Sequence, residues 1–242
     1  MLEPTLQSRS PDIGSAHLRR AAAASTGPEA LPDLLLIERA RAGDERAIEA
    51  LIRRYGRRLF RVARSVLMDD ERAESAVVEA YLAAFGDLSR YEPTGKFAAW
   101  LTRLAFNQAR ALRASARATP AVPRAEAAAA QGLPAPGGES QERCELERAI
   151  GALPAVFRTV YVLRVVEGIS GIETAASLGV HETTVRTRLY RAHRRLAPET
   201  AQRVRATPAL LELSREACER IVSRALAQLA HGSMLTISAA PP

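Results

Sequence analysis

The chain has 242 residues, 47% of them apolar and 5% aromatic, with a formal net charge of +7 and a pI near 10.2. That length suffices for one large core or two small ones, the Ala- and Leu-dominated apolar set favours helices over sheets, and the positive charge favours a polyanionic partner. No apolar run reaches membrane-spanning length, and Cys144 and Cys218 stand far apart without metal-ligand spacing, which suits idle thiols in a cytosolic protein.

Residues 1–32 mix Pro, Ser, Ala and Gly without periodicity and read as a disordered extension. The stretch "DLLLIERARAG" predicts a short helix capped by Asp33 and stopped by Gly43. Asp44 then caps a long helix in which Ile48, Leu51, Ile52, Tyr55, Leu59, Val62 and Val66 keep a helical period. Asp69 or Asp70 caps a third, striped by Ala73, Val77, Tyr81, Leu82, Phe85 and Leu88, with Glu71 and Glu74 near its positive end. After the polar stretch "SRYEPTGK", Phe97, Trp100, Leu101, Leu104, Ala105 and Leu112 mark a fourth helix. Residues 33–113 therefore read as one all-helical domain, and 114–139 as a flexible Ala/Pro/Gly-rich linker. A second unit, 140–197, opens with a helix to Gly151. Pro154 suits the first turn of the next, which carries Val156, Val160, Val162, Leu163 and Val166 and stops at Gly168.

A capping box and three spacings then predict a helix-turn-helix. Ser170 and Glu173 form an S-x-x-E capping box. Ala175 is small where two helices must cross, and Gly179 supplies the left-handed residue of a tight turn. Val185, six residues further on, packs the second helix back on the first. In that second helix Val185, Leu189, Ala192 and Leu196 share one face. Thr183, Thr187, Tyr190 and Arg194 point the other way, flanked by Arg186 and Arg191. Threonines and arginines at the start of such a helix can reach base edges, and later arginines can hold phosphates. The alternative is a helical hairpin with a solvated arginine face. His181 is a poor N-cap. In the first domain Arg53, Arg54, Arg57, Arg58, Arg61 and Arg64 crowd one helix, offering a second candidate nucleic-acid surface or a solvated face.

The order "RAGDERAIEALIRRYGRRLFRVARSVL", "DDERAESAVVEAYLAAF", "FAAWLTRLAFNQARALR" and "LPAVFRTVYVLRVVEGISGIETAASLGVHETTVRTRLYRAHRRL" resembles an extracytoplasmic-function (ECF) sigma factor of bacterial RNA polymerase. The resemblance covers about 33–113 and 140–197. It implies an all-α protein of two small domains, a region 2-like four-helix domain and a region 4-like helix-turn-helix domain, joined by a flexible linker. It further implies that the first docks on core RNA polymerase and melts the minus-ten element as single-stranded DNA. The second would read the minus-thirty-five element as double-stranded promoter DNA. The reading helix would use Thr183, Thr184, Arg186, Thr187, Tyr190, Arg191, Arg194 and Arg195. The minus-ten domain would use Arg90, Tyr91, Lys96, Arg103, Asn107 and Arg110, while Trp100 is read as core. The polymerase contact falls on the helix spanning 70–86, where the family pattern D-x-x-Q-E is met here by Ser75, Val78 and Glu79. Only the glutamate survives, with Arg72 and Glu74 expected to compensate from an exposed face. The resemblance also admits an anti-sigma factor as a partner.

Beyond 197 the reading is of an extension, 198–242, with one amphipathic helix. Ser214 opens it, Gly232 closes it, and Ala217, Cys218, Ile221, Val222, Ala225, Leu226 and Leu229 form its stripe. An isolated helix of that length is marginal in water, so the stripe either folds back on a domain or binds a regulator or polymerase. No carboxylate pair, nucleophile–histidine set, metal cluster or phosphate-cradling loop is present, so neither an enzyme nor a cofactor is expected. The competing readings are a helix-turn-helix regulator that does not recruit polymerase, and a protein-interaction adaptor or anti-sigma decoy.

Overall fold

The structure is a computed structural model and describes residues 31–88, 91–92, 96–118, 138–207 and 210–238. Nearly all of the expected N-terminal extension, 1–32, and most of the expected linker lie outside the described residues.

Helix α1 (Asp33–Arg41) is followed by the left-handed Gly43, and α2 (Glu45–Leu67) starts at Asp44, whose carboxylate accepts from the Arg46 and Ala47 amides. Asp33 is not the cap expected of it. Pro32 stands at that position, leaving Asp33 in the first turn, where its carboxylate accepts from the Tyr55 hydroxyl and from Arg54. A left-handed Met68 ends α2, and Asp69 caps α3 (Asp70–Gly86) by accepting from the Arg72 amide. Helix α4 runs from Phe97 to Ala118, beyond the expected start of the linker at 114, because nothing in "SARA" breaks it.

In the second unit α5 spans Gly138–Gly151 and α6 Ala155–Tyr161, with Pro154 as the N-cap residue rather than inside the first turn. The chain then widens into a π-turn over Val162–Val166 before the left-handed Gly168. Val156, assigned to the apolar stripe, is exposed. Helix α7 (Gly171–Leu178), the left-handed Gly179 and α8 (Glu182–His193) make the expected helix-turn-helix.

The extension holds two helices, not one: α9 (Pro198–Ala206) and α10 (Arg215–Ser238). Pro198 at the first helical position, with Glu199 in the same turn, is the signal for α9. Ser214 does open α10, accepting from the Ala217 amide. Gly232 does not close it; the described glycines with positive φ are Gly43, Gly168 and Gly179, and without that conformation a glycine stays within the helix.

Two cores result. One fills the space among α1–α4 and continues without a break into Ile221, Val222 and Ala225 of α10. The other joins α5, α6 and the π-turn to Ala192 of α8, Leu196 just beyond it, Val204 of α9, and Leu210 and Leu211. Between them lies a small cluster in which Val62 of α2 and Phe106 of α4 meet the helix-turn-helix residues Leu178 and Val185. The two units are therefore packed against each other, α4 against α7 and α2 against α6.

Candidate nucleic-acid interface

The helix-turn-helix is positioned by small residues. Ala175 and Val185 are buried against each other's helices, and the Val180 amide donates to the Ala175 carbonyl across the turn. Ser170 caps α7 by accepting from the Glu173 amide. The reciprocal half of the capping box is absent: the Glu173 carboxylate reaches across to Arg58 on α2 at 2.7 Å instead. At the start of α8 no side chain caps the helix, as the His181 reading anticipated.

With Val185 and Ala192 turned inward, Thr183, Arg186, Thr187, Tyr190, Arg191, Arg194 and Arg195 are exposed and Thr184 is half-buried. Arg186 has only a weak 4.0 Å pairing with Glu182. The Thr187 hydroxyl donates to the Thr183 carbonyl at 2.9 Å, keeping its oxygen lone pairs outward. Arg194 lies over the Tyr190 ring, and Arg195 over Phe157 of α6 at 4.9 Å from the centroid. One shallow cleft is lined by Phe157, Tyr190, Arg191, Arg194 and Arg195. Thr183, Thr184, Thr187, Arg188 and Arg191 line a second beside the exposed Val156. Such an array offers hydroxyls and forked donors to bases and phosphates together.

The minus-ten set divides. Arg103, Asn107 and Arg110 are exposed on α4, and Lys96 is exposed just before it; Arg90 lies outside the described residues. Tyr91 is not the open stacking platform expected. It is buried in an aromatic cluster, 5.2 Å from Phe97 and 4.9 Å from Trp100 between ring centroids, and its carbonyl accepts from Arg41. The cluster also accounts for Trp100 as a packing residue. Arg103 does not face open solvent alone: a Cβ on Gly179 would stand 3.0 Å from its guanidinium, so it lies over the turn of the helix-turn-helix. Arg110, stacked on Phe106, shares a cleft with Arg113 and with Arg188 of α8.

Of the six α2 arginines read as a candidate surface, five are engaged by acids rather than offered to a polyanion. Arg53 pairs with Glu49 and Glu219, Arg54 with Asp33, Arg58 with Glu173, Arg61 with Glu167 and Arg64 with Asp70. Arg57 is exposed. Three of those acids stand more than a hundred residues away, which is why no local pattern revealed them.

The polymerase set also divides. Ser75 is half-buried, its hydroxyl donating to the Glu71 carbonyl, and Glu79 is exposed. Arg72 donates to the Leu112 carbonyl of α4. Glu74 and Val78, four residues apart on one face of α3, are buried. Glu74 does not compensate from an exposed face: α10 covers it, and Arg220 grips its carboxylate at 2.5 Å. That grip holds the Arg220 guanidinium above its ordinary pKa.

Sequence reading missed Arg158. It sits in the apolar stripe of α6, buried, donating to the Ser65 carbonyl of α2 and the Gly151 carbonyl. Burial, with Arg113 and Arg64 nearby, pulls its pKa down to about 10, so it remains charged at neutral pH. An arginine among Val156, Val160 and Val162 was the available signal. Among the described residues no cluster of His, Cys, Asp and Glu could hold a metal, and no helix is long and apolar enough to cross a membrane.

Two helical units, the second presenting a basic reading helix, define a DNA-recognition protein of the helix-turn-helix class. Family models sharpen this: the description "Sigma-70 region 2" matches residues 51–119 and "Sigma-70, region 4" matches residues 145–196. The chain is 31% identical over 176 residues to the RNA polymerase sigma factor CnrH of Cupriavidus metallidurans, covering 68% of this chain and 92% of that one. It is 30% identical over 178 residues to the ECF RNA polymerase sigma-E factor of Escherichia coli, again covering 68% and 92%. Against the ECF sigma factor SigM of Mycobacterium tuberculosis it is 31% identical over 156 residues, 64% of this chain and 78% of that one. Its fold is similar to CnrH solved in complex with the cytosolic domain of CnrY, with a TM-score of 0.51 and 28% identity over 67% of this chain and 93% of that one. The chain belongs to the ECF sigma factors of RNA polymerase.

Proposed function

We propose that this sigma factor brings core RNA polymerase to its promoters by reading the minus-thirty-five duplex with α8 and opening the minus-ten element with α4. The observation that carries the reading is the exposed row Thr183, Arg186, Thr187, Tyr190, Arg191 and Arg194 on a helix-turn-helix. In this assignment Thr183, Thr184, Arg186 and Thr187 meet base edges, while Arg191, Arg194 and Arg195 hold phosphates. Arg103, Asn107, Arg110 and Lys96 bind the opened strand. Residues 33–113 and 140–197 act as the two functional domains. The protein is a cytoplasmic regulatory subunit without a catalytic site of its own, and an inhibitory protein of the anti-sigma kind is a fitting partner, since the similar CnrH was solved in complex with the cytosolic domain of a second protein, CnrY.

The two promoter elements lie tens of ångströms apart along the duplex, whereas Arg103 rests on the turn before α8. Engagement of both elements therefore requires the two units to separate first. Run-off transcription with purified core polymerase on a promoter library tests the assignment. Specific transcripts are expected, and DNA binding without transcripts would instead favour a regulator that does not recruit polymerase. The phosphate roles are tested by salt: replacing Arg191 and Arg194 with alanine should flatten log K against log[salt] by ~0.9 per lost contact. An unchanged slope removes both arginines from the phosphate set.

A further inference from the structure

The most extensive contact between the two ends of the chain is made by a helix that the reading of promoter DNA does not use. Helix α10 lies along α3 and α2. Its buried Ile221, Val222 and Ala225 enter the first core, with Cys218 and Leu226 packed at the margins, and Ala217, also buried, continues the same face at helical spacing. Ion pairs of opposite sense fix both flanks. Arg220 of α10 grips Glu74 of α3, and Glu219 of α10 receives both guanidinium nitrogens of Arg53 from α2 at 2.7 and 2.9 Å. Arg53 holds the Glu219 carboxyl below its ordinary range.

Just before α10, Leu213 reaches α2 over Gly56, where a Cβ would meet it at 3.5 Å. Leu210 and Leu211, only a few residues earlier, are buried in the other core, and the Leu211 amide donates to Glu147 of α5. The segment is thus anchored in the second unit and laid across the first.

We propose that α10 is an intramolecular strap occupying the docking surface on α3 that core polymerase uses, so that polymerase must displace α10 to bind. The inference rests on the polymerase contact assigned to α3 above. Of the five α3 residues in that assignment, Glu74 and Val78 face the side that α10 covers and are inaccessible while it is in place. The occupant fits by chemistry: an apolar stripe set on an apolar floor, with one acid and one base on each partner placed to cross-pair.

Where the competent form is a small fraction of the population, apparent affinity falls by that fraction. Loosening the strap therefore tightens polymerase binding. In the full chain, Ala225→Asp places a carboxylate at a fully buried position of α10 and should raise affinity for core polymerase about tenfold (~1.4 kcal/mol). Arg53→Glu, which sets a third acid against Glu49 and Glu219, should raise it about threefold (~0.7 kcal/mol), and adding Glu219→Arg should return it toward the unmodified value. Amide hydrogen exchange of the unmodified chain needs no variant: protection over 217–226 should fall when core polymerase binds. Polymerase binding with α10 protection unchanged, or variants that bind no more tightly than the unmodified chain, overturns the strap and leaves the sigma reading standing. Failure of every form to bind core polymerase overturns the sigma reading and the strap with it.

Discussion

The first unit meets the rest of the chain through two interfaces of opposite character. Toward the helix-turn-helix unit the joint is largely polar, its bonds set around the small apolar cluster of Val62, Phe106, Leu178 and Val185. Arg58 meets Glu173, Arg61 meets Glu167 at 2.5 Å, Ser65 bonds Thr159, and Arg158 donates to the Ser65 carbonyl. Arg58 Nε, Thr174 Oγ1 and Ser177 Oγ are buried there with no partner. Toward α10 the contact is an unbroken apolar core with charges only at its rims. A polar joint can exchange its bonds for water on opening, and each unpartnered group regains ~1–3 kcal/mol of solvation when it does. An apolar face offers water nothing in exchange, so it opens when another apolar surface takes the place of α10. The fold thus separates two events, parting of the units and release of the strap, by the chemistry of the two contacts.

The contrast is broken most strongly at the buried ion pair. Arg61→Met strands the Glu167 carboxylate and should cost the closed arrangement ~3–5 kcal/mol. Because the joint can open, the loss should appear as a larger radius of gyration in small-angle scattering rather than as unfolding. Arg61→Met with Glu167→Leu removes both charges and should close the molecule again. A radius unchanged in the single variant would mean that the joint is held by Val62, Phe106 and Leu178 instead.

On the apolar side, Ile221→Ala should cost ~2–4 kcal/mol, read as a lower thermal midpoint of the first unit with the radius of gyration little changed. A large expansion in that variant would erase the distinction between the interfaces.

The smallest effect is expected within the second unit. His193 packs edge-on to Tyr161 at 5.4 Å, and burial, with Arg205 nearby, lowers its pKa. The unfolded chain then binds the proton more readily than the folded one. Stability is fully present above the ordinary value of ~6.5 and is lost as pH falls through the depressed folded value. Melting of the second unit should decline as pH falls below about 6.5, and His193→Gln should flatten that decline; an unchanged pH profile in the variant would remove His193 as its source.

What could be read from sequence was local and steric. Asp44, Asp69, Ser170 and Ser214 each cap the helix predicted for them, because a cap depends on residues two or three positions away. Ala175, Gly179 and Val185 announce the turn for the same reason, and the stripe of α10 was visible from its period. What was not legible depends on distant partners. The α2 arginines looked like a DNA surface until acids from α1, α3, α7, the π-turn end and α10 were brought to them by folding. Tyr91 looked like a stacking platform until Phe97 and Trp100 closed on it. The exposed reading-helix residues were legible because Val185 and Ala192 fix which face is inward. Glu74, expected on an exposed face, is buried because the helix that covers it lies far along the chain.

Leu210 and Leu211 give the strap one more property. They pin the chain only four residues before α10 begins, so a detached α10 stays near its groove at an effective concentration on the order of millimolar. Re-docking is then a first-order process. Diluting the protein will not loosen the strap, and a separate molecule competing for the groove must be present at high concentration or bring affinity from a second site. A partner that also grips the second unit meets that condition, since one attachment raises the local concentration of the other.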